Sequence, residues 1–238
     1  MGELHVDKTV IYYTDNRLPE PLFSVCQKHV AAAGLPIVSC SLRPLAFGRN
    51  VVVESEPGYP AMIRQIIRAL EISWAQYVFF CEHDVLYHRS HFDFAPTRND
   101  TYYYNVNVWR WKFKSPTAVT WDDLKSLSGL CCNRELALDH FQRRLDVILA
   151  RPEEFQTREP KLPRVWGYEP GTKKRRRGGF SDEDYSIWRS AYPNIDIRHN
   201  RTYSPPKITL DSFKHKPTGW QEVCVEGIPG WNLKELFK

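Results

Sequence analysis

The chain has 238 residues, 33 Lys and Arg against 28 Asp and Glu, and a formal charge of +5. With 42% hydrophobic and 13% aromatic residues it holds enough apolar material for a sizeable core, which excludes wholesale disorder. No apolar run approaches the roughly 20 residues of a membrane-spanning helix, and the opening residues lack the pattern of a secretory signal. A cytoplasmic protein without stable membrane association is therefore expected. The six cysteines show no Cys-x-x-Cys spacing and read as reduced, mostly buried thiols. Lys173, Lys174, Arg175, Arg176 and Arg177 form one run that carries the whole surplus of charge, since 5 − 5 leaves zero.

Residues 6–14 are β-branched and aromatic and predict a buried strand ending at the turn formers Asp15 and Asn16. Helical spacing follows over 21–33, a second strand over 36–42, a loop over 43–59, and a helix over 60–74 opened by Pro60. Residues 77–81 form a wholly apolar strand, followed at once by Glu82, His83 and Asp84. Strand, helix, strand, helix, strand is the pattern of a mainly parallel α/β sheet with covering helices. Ligands of such sheets bind beyond the carboxyl ends of the strands, where Asp15 and residues 82–84 both fall.

The second half is less regular. Residues 102–112 alternate as one strand, with Asn105, Asn107 and Trp109 sharing a face. A helix is expected over 135–150, a Pro-rich basic loop over 151–179, a short helix over 181–191 with an acidic first turn, and a strand over 194–198. Residues 200–238 read as a tail packed on a single domain that spans 1–238.

Two carboxylates separated by one residue at the end of an apolar strand point to the same side if the extended form persists, and His83 then points away. Such a pair repels itself unless a hard divalent cation such as Mn²⁺ or Mg²⁺ lies between. A strand-end turn with solvated acids is the plain alternative.

The stretch 67–92, with Glu82-His83-Asp84 in the place of a DxD motif, resembles the metal-binding region of GT-A type glycosyltransferases. Three further segments share the resemblance, which covers roughly residues 6–200. They are Tyr13-Thr14-Asp15-Asn16, the small-residue turn at Ser128-Gly129 with the following Arg134, and the acidic segment Asp182-Glu183-Asp184. The resemblance implies a Rossmann-like GT-A fold and a nucleotide-sugar donor, with UDP-glucose the commonest. It implies Asp84 and Glu82 as metal ligands, completed by His199 or else His215. It further implies Tyr13, Thr14, Asp15, Asn16, His83, Ser128 and Gly129 as donor-binding residues. In inverting members an acid at the third segment is the base, here Asp184, with Glu183 and Asp182 as neighbours.

The basic run 173–177 lies just before that segment, and Asn107, Trp109 and Trp111, with Trp166 and Tyr168, lie in expected acceptor territory. Cations and stacking rings together suggest double-stranded DNA carrying a 5-hydroxymethylpyrimidine such as 5-hydroxymethylcytosine as acceptor, as in phage-type members. Two alternatives stay open: a lipid-linked or surface glycan as acceptor, and a non-catalytic nucleic-acid-binding protein in which the acids are structural.

Overall fold

The computed structural model describes residues 7–155, 169–172, 184–202 and 206–238. The basic run 173–177, Trp166, Tyr168, Asp182 and Glu183 lie outside the described residues.

The elements run β1 (Lys8–Thr14), α1 (Leu22–Ala31), β2 (Ile37–Ser41), β3 (Arg49–Val52), α2 (Tyr59–Ile72), β4 (Tyr77–Glu82) and β5 (Val85–Leu86). Then come β6 (Tyr102–Asn105), β7 (Val108–Lys112), β8 (Thr117–Thr120), β9 (Leu130–Asn133) and α3 (Arg134–Ala150). The described remainder holds β10 (Tyr185–Trp188), β11 (Asn194–Arg198), β12 (Gln221–Cys224) and a short helix α4 (Leu233–Leu236).

Seven strands form a mixed, mainly parallel sheet in the order β10-β6-β9-β4-β1-β2-β3, in which β9 runs against both neighbours. Five others form a second sheet in the order β12-β8-β7-β11-β5. Helices α2 and α3 cover one face of the first sheet, where Ile63, Ile66, Leu70 and Phe141 meet Ile11, Val78 and Phe80. Tyr12, Phe79 and Cys81 point to the other face and meet Val30, Tyr87 and Phe92. Strand β4 is thus buried on both sides, which is why it reads as an unbroken apolar run. The second sheet packs Trp109, Trp111, Ile195 and Ile197 against α1 and Trp231. All six cysteines are free, and only Cys224 is exposed. Among the described residues no helix is long and apolar enough to cross a membrane.

Several sequence expectations change. Residues 102–112 are two strands in different sheets, because Asn105 turns the chain: its Oδ1 accepts from the Asn107 amide at 2.9 Å. The helix expected over 181–191 is replaced by β10, whose Tyr185, Ile187 and Trp188 pair in parallel with β6. The loop over 43–59 contains the edge strand β3. The turn at Ser128-Gly129 leads directly into β9, and the tail supplies β12 to the second sheet.

Among the described residues the chain passes from the first sheet to the second at residues 83–84, 106–107 and 189–193, and returns between β5 and β6 and between β8 and β9. A polar seam ties the crossings at 106–107 and 189–193 to the segment after β5. Asn105 Nδ2 donates to Ser190 Oγ at 2.9 Å and to His91 Nδ1 at 3.0 Å. Asn107 Nδ2 donates to the Ser190 carbonyl at 2.8 Å, and the His88 amide donates to Asn194 Oδ1 at 3.1 Å. His91 is fully buried and stacks on Trp188 with ring centroids 5.2 Å apart.

Burial lowers the His91 pKa to about 3. The unfolded chain takes up this proton near pH 6.5 and the folded one does not, so stability is lost as the pH falls from about 6.5 towards 3. His91→Gln, which does not titrate, is expected to reduce the loss of denaturant stability between pH 7 and pH 4.5 by about 2 kcal/mol. Equal pH dependence in the variant and the parent would rule out the buried neutral imidazole.

Candidate metal centre

Strand β4 cannot continue past Glu82 within the first sheet. The chain turns at His83 and Asp84 and re-enters as β5 in the second sheet, antiparallel to β11. The amide of Ile197 donates to the Asp84 carbonyl at 2.9 Å, so β11 is locked against the turn and its end is brought to the end of β4. The strict alternation expected of residues 82–84 is lost at this turn, and His83 lies with Asp84 rather than opposite it.

His83, Asp84 and His199 each bring one ligand atom within 4.8 Å of the others. His199 Nε2 lies 3.3 Å from Asp84 Oδ2, and both side chains are nearly buried. Two ligand atoms at about 2.1 Å from one ion are at most about 4.2 Å apart. The trio thus needs only a few tenths of an ångström of side-chain movement to share a cation. Two imidazoles and a carboxylate suit Mn²⁺ or a later transition metal better than Mg²⁺. The Arg201 amide donates to His199 Nδ1 at 3.2 Å, which puts the ring proton on Nε2 facing Asp84, where an ion would displace it.

The neighbours of the trio come from the ends of the central strands. Thr14 Oγ1 lies 2.7 Å from His83 Nδ1 and also accepts from the Asn16 amide. Asp15 Oδ1 stands 3.9 Å from the same ring nitrogen and is bound on its other oxygen by Arg17. Asn16, at φ 57°, braces the loop after β2 by accepting from the amides of Leu42 and Arg43. Buried Gln65 of α2 donates to the Thr14 carbonyl at 2.7 Å and fixes the end of β1.

The two acids of the motif play different parts. Glu82 accepts the Tyr13 hydroxyl at 2.8 Å and is pushed up to about 8, by burial first and the Asp84 charge second. Burial also favours the neutral form of Asp84, but His199 as hydrogen-bond donor, with the charges of His83, His199 and Arg198, outweighs it and holds the carboxyl below its ordinary value. Burial and the Glu82 carboxylate raise Tyr13 far above its ordinary value, so it remains a donor. Beyond Arg198 lies Asp196, which accepts from Arg198 at 3.1 Å and from Arg110 Nε at 2.9 Å.

The turn of Ser128 and Gly129 packs against β4, level with its last residues by the β9 register. A Cβ at Gly129 would stand 2.9 Å from the Asn105 carbonyl, so the residue is held small by the seam.

Other expected residues fall elsewhere. Asp184 is level with Thr101 and Tyr77, by the register from β10 through β6 and β9 to β4. That is the first residue of β4, a six-residue strand about 17 Å long, whereas the metal centre follows its last. Asp184 instead pairs with Arg98 at 3.1 Å. Arg134 is at the same far end, donating to the Leu70 carbonyl. Trp109 and Trp111 are 9% and 4% exposed, packed in the second core, and the Trp111 indole donates to the Ser115 carbonyl. Neither ring offers a face for stacking. Asn107 spends its amide on the seam. His215 is exposed on the segment after residue 206, outside the trio.

No protein-family model matches the chain, and no curated protein does. Among solved structures, a glycosyltransferase involved in the glycosylation of the major capsid of PBCV-1 superimposes with a TM-score of 0.43. It shares 10% sequence identity, over 77% of this chain and 81% of that one. A likeness of that degree assigns no residue a role; the reading of this centre rests on its own geometry.

Manganese titrated into the protein is expected to bind with one-site stoichiometry. His199→Ala and Asp84→Asn should each weaken it by at least tenfold, and Thr14→Ala, which frees the His83 ring, by about tenfold. Unchanged affinity in His199→Ala would exclude the trio as the site.

Proposed function

We propose that the protein is a metal-dependent glycosyltransferase that moves a sugar from a nucleotide-sugar to a hydroxyl-bearing acceptor. The observation that carries this reading is the trio His83, Asp84 and His199 at the carboxyl end of the central strand, beside the loop after β1. Ligands of α/β sheets gather at that edge, and three of the four segments that resemble GT-A enzymes lie there, at β1, β4 and the turn before β9, while Asp184 is at the other end.

A divalent ion held by these three side chains supplies positive charge against a departing diphosphate. The chain's own groups do the rest. Thr14 orients His83, and Asp84 stays ionised through its partners. The Arg201 guanidinium donates to the Arg17 carbonyl, and the Arg17 guanidinium binds Asp15 beside His83. They suit the phosphate oxygens of a donor, since guanidinium groups bind phosphate in paired hydrogen bonds. Tyr13 and Glu82 form the buried floor. Asp15 is the partly exposed acid nearest His83.

The hydroxymethylpyrimidine acceptor drew on Trp109, Trp111 and the basic run. The two indoles are in the core and the run lies outside the described residues, so the acceptor in this reading is a hydroxyl compound without further specification. UDP-glucose is the first donor to test, and Mn²⁺ the first ion.

Incubation with a panel of nucleotide-sugars should give slow, metal-dependent hydrolysis of one of them. Chelation should abolish it, and Asp84→Asn should lower turnover by about a hundredfold or more, the scale of removing one charge-stabilising group. Hydrolysis that persists in chelator, or in Asp84→Asn, would defeat the reading.

A further inference from the structure

The face of the second sheet opposite Trp109 and Trp111 carries a polar row that leads away from the metal centre. Pairing across the strands aligns Val85 with Asp196, Asp196 with Arg110, Arg110 with Val119, and Val119 with Glu222. Three strand spacings of about 4.8 Å separate β5 from β8, so the row reaches roughly 15 Å from Asp84.

At its far end lies a cleft of about 280 Å³, lined by Arg110, Lys112, Thr117, Thr209, Trp220 and Glu222 among others. That volume is just under the usual range of ligand sites, about 300–1,000 Å³, and suits a ring-sized group. Arg110 has a side chain 13% exposed. Its Nε is committed to Asp196 and its guanidinium lies 4.9 Å from the Trp121 ring centre, while among the described residues its Nη groups meet no acceptor. Trp121 and Trp220 stack at 5.8 Å and 13°, and Phe213 packs edge-on against both. Trp220 is half-buried and forms part of the cleft wall.

A half-buried indole beside two cations and two threonine hydroxyls is a complete set of partners for one kind of group. The ring gives an apolar face, the hydroxyls pair with hydroxyls, and Arg110 with Lys112 favours a carboxylate. Within the cleft lining the cations Arg110 and Lys112 face one acid, Glu222, while Asp196 and Glu169 act on Arg110 from outside it. We propose that this cleft binds an acidic glycan, one uronate ring resting on Trp220 with its carboxylate between Arg110 and Lys112, and that this glycan is the acceptor of the transfer. The acceptor role rests on the glycosyltransferase reading; the binding site does not.

The test is a titration of the intact protein, without metal, with tetragalacturonate, neutral maltotetraose and a 12-base-pair DNA duplex, followed by calorimetry and tryptophan fluorescence. Tetragalacturonate is expected to bind at least tenfold more tightly than maltotetraose and to weaken as salt is raised. Lys112→Ala and Trp220→Ala should each weaken it about tenfold while keeping the parent's unfolding midpoint. Equal binding of the two saccharides, binding of neither, or unaltered affinity in both variants would overturn the proposal. So would a duplex that binds in the saccharide's place and depends on the same two residues. Manganese affinity is measured separately at the trio, so failure here is distinguishable from failure of the transferase reading.

Discussion

The molecule depends on what happens where β4 stops. A strand buried on both faces must satisfy its backbone within sheets, and this one does so by leaving the first sheet at His83 and joining the second at Val85. The two-residue turn between them carries polar side chains, His83 and Asp84, after an apolar strand. The hydrogen bond from the Ile197 amide to the Asp84 carbonyl then sets where β11 ends, and with it the position of His199. A site assembled from residues more than a hundred positions apart therefore follows from one strand changing sheets.

Asp84 and Asp196 are buried and Glu82 is half-buried, and a carboxylate taken out of water is costly unless paired. Each has a different solution. Glu82 is covered by Tyr13 and held towards its protonated form; Asp84 is held ionised by His199 and nearby cations; Asp196 is shared by Arg110 and Arg198. Different partners for chemically similar groups put one negative charge at the turn itself and another, neutralised, further along the second sheet. The same arrangement links the metal centre to the cleft by Trp220, because Asp196 and Arg110 are neighbours in the row that joins them.

Rigidity comes from the seam. Asn105 uses both ends of its amide on Ser190, His91 and the Asn107 backbone, and Asn107 reaches back to Ser190. A buried amide satisfied this fully resists rearrangement, so the crossings at 106–107 and 189–193 are held together. Gly129, pressed against the Asn105 carbonyl, ties the turn before β9 to the same framework.

The apolar run of β4, the β-rich start and the proline-opened helix α2 determined the alternating first half, because period and composition are local properties. They also placed Glu82 and Asp84 at a strand end, and the resemblance named both, with His199, as metal ligands; the trio has His83 where Glu82 was expected. The second half was less legible. Short strands such as β8, β9 and β12 are held by pairing with distant partners, so their propensities alone are weak signals. Residues 102–112 have the alternation of one strand but belong to two sheets, since the break at Asn105 is set by Ser190 and His91, far away in sequence. Asp184 carries the acidic signature of a helix start yet begins a parallel edge strand, which puts it at the opposite end of the sheet. Alternation pointed His83 away from Asp84; the change of sheets turned it back, and that crossing is a tertiary event no run of three residues encodes.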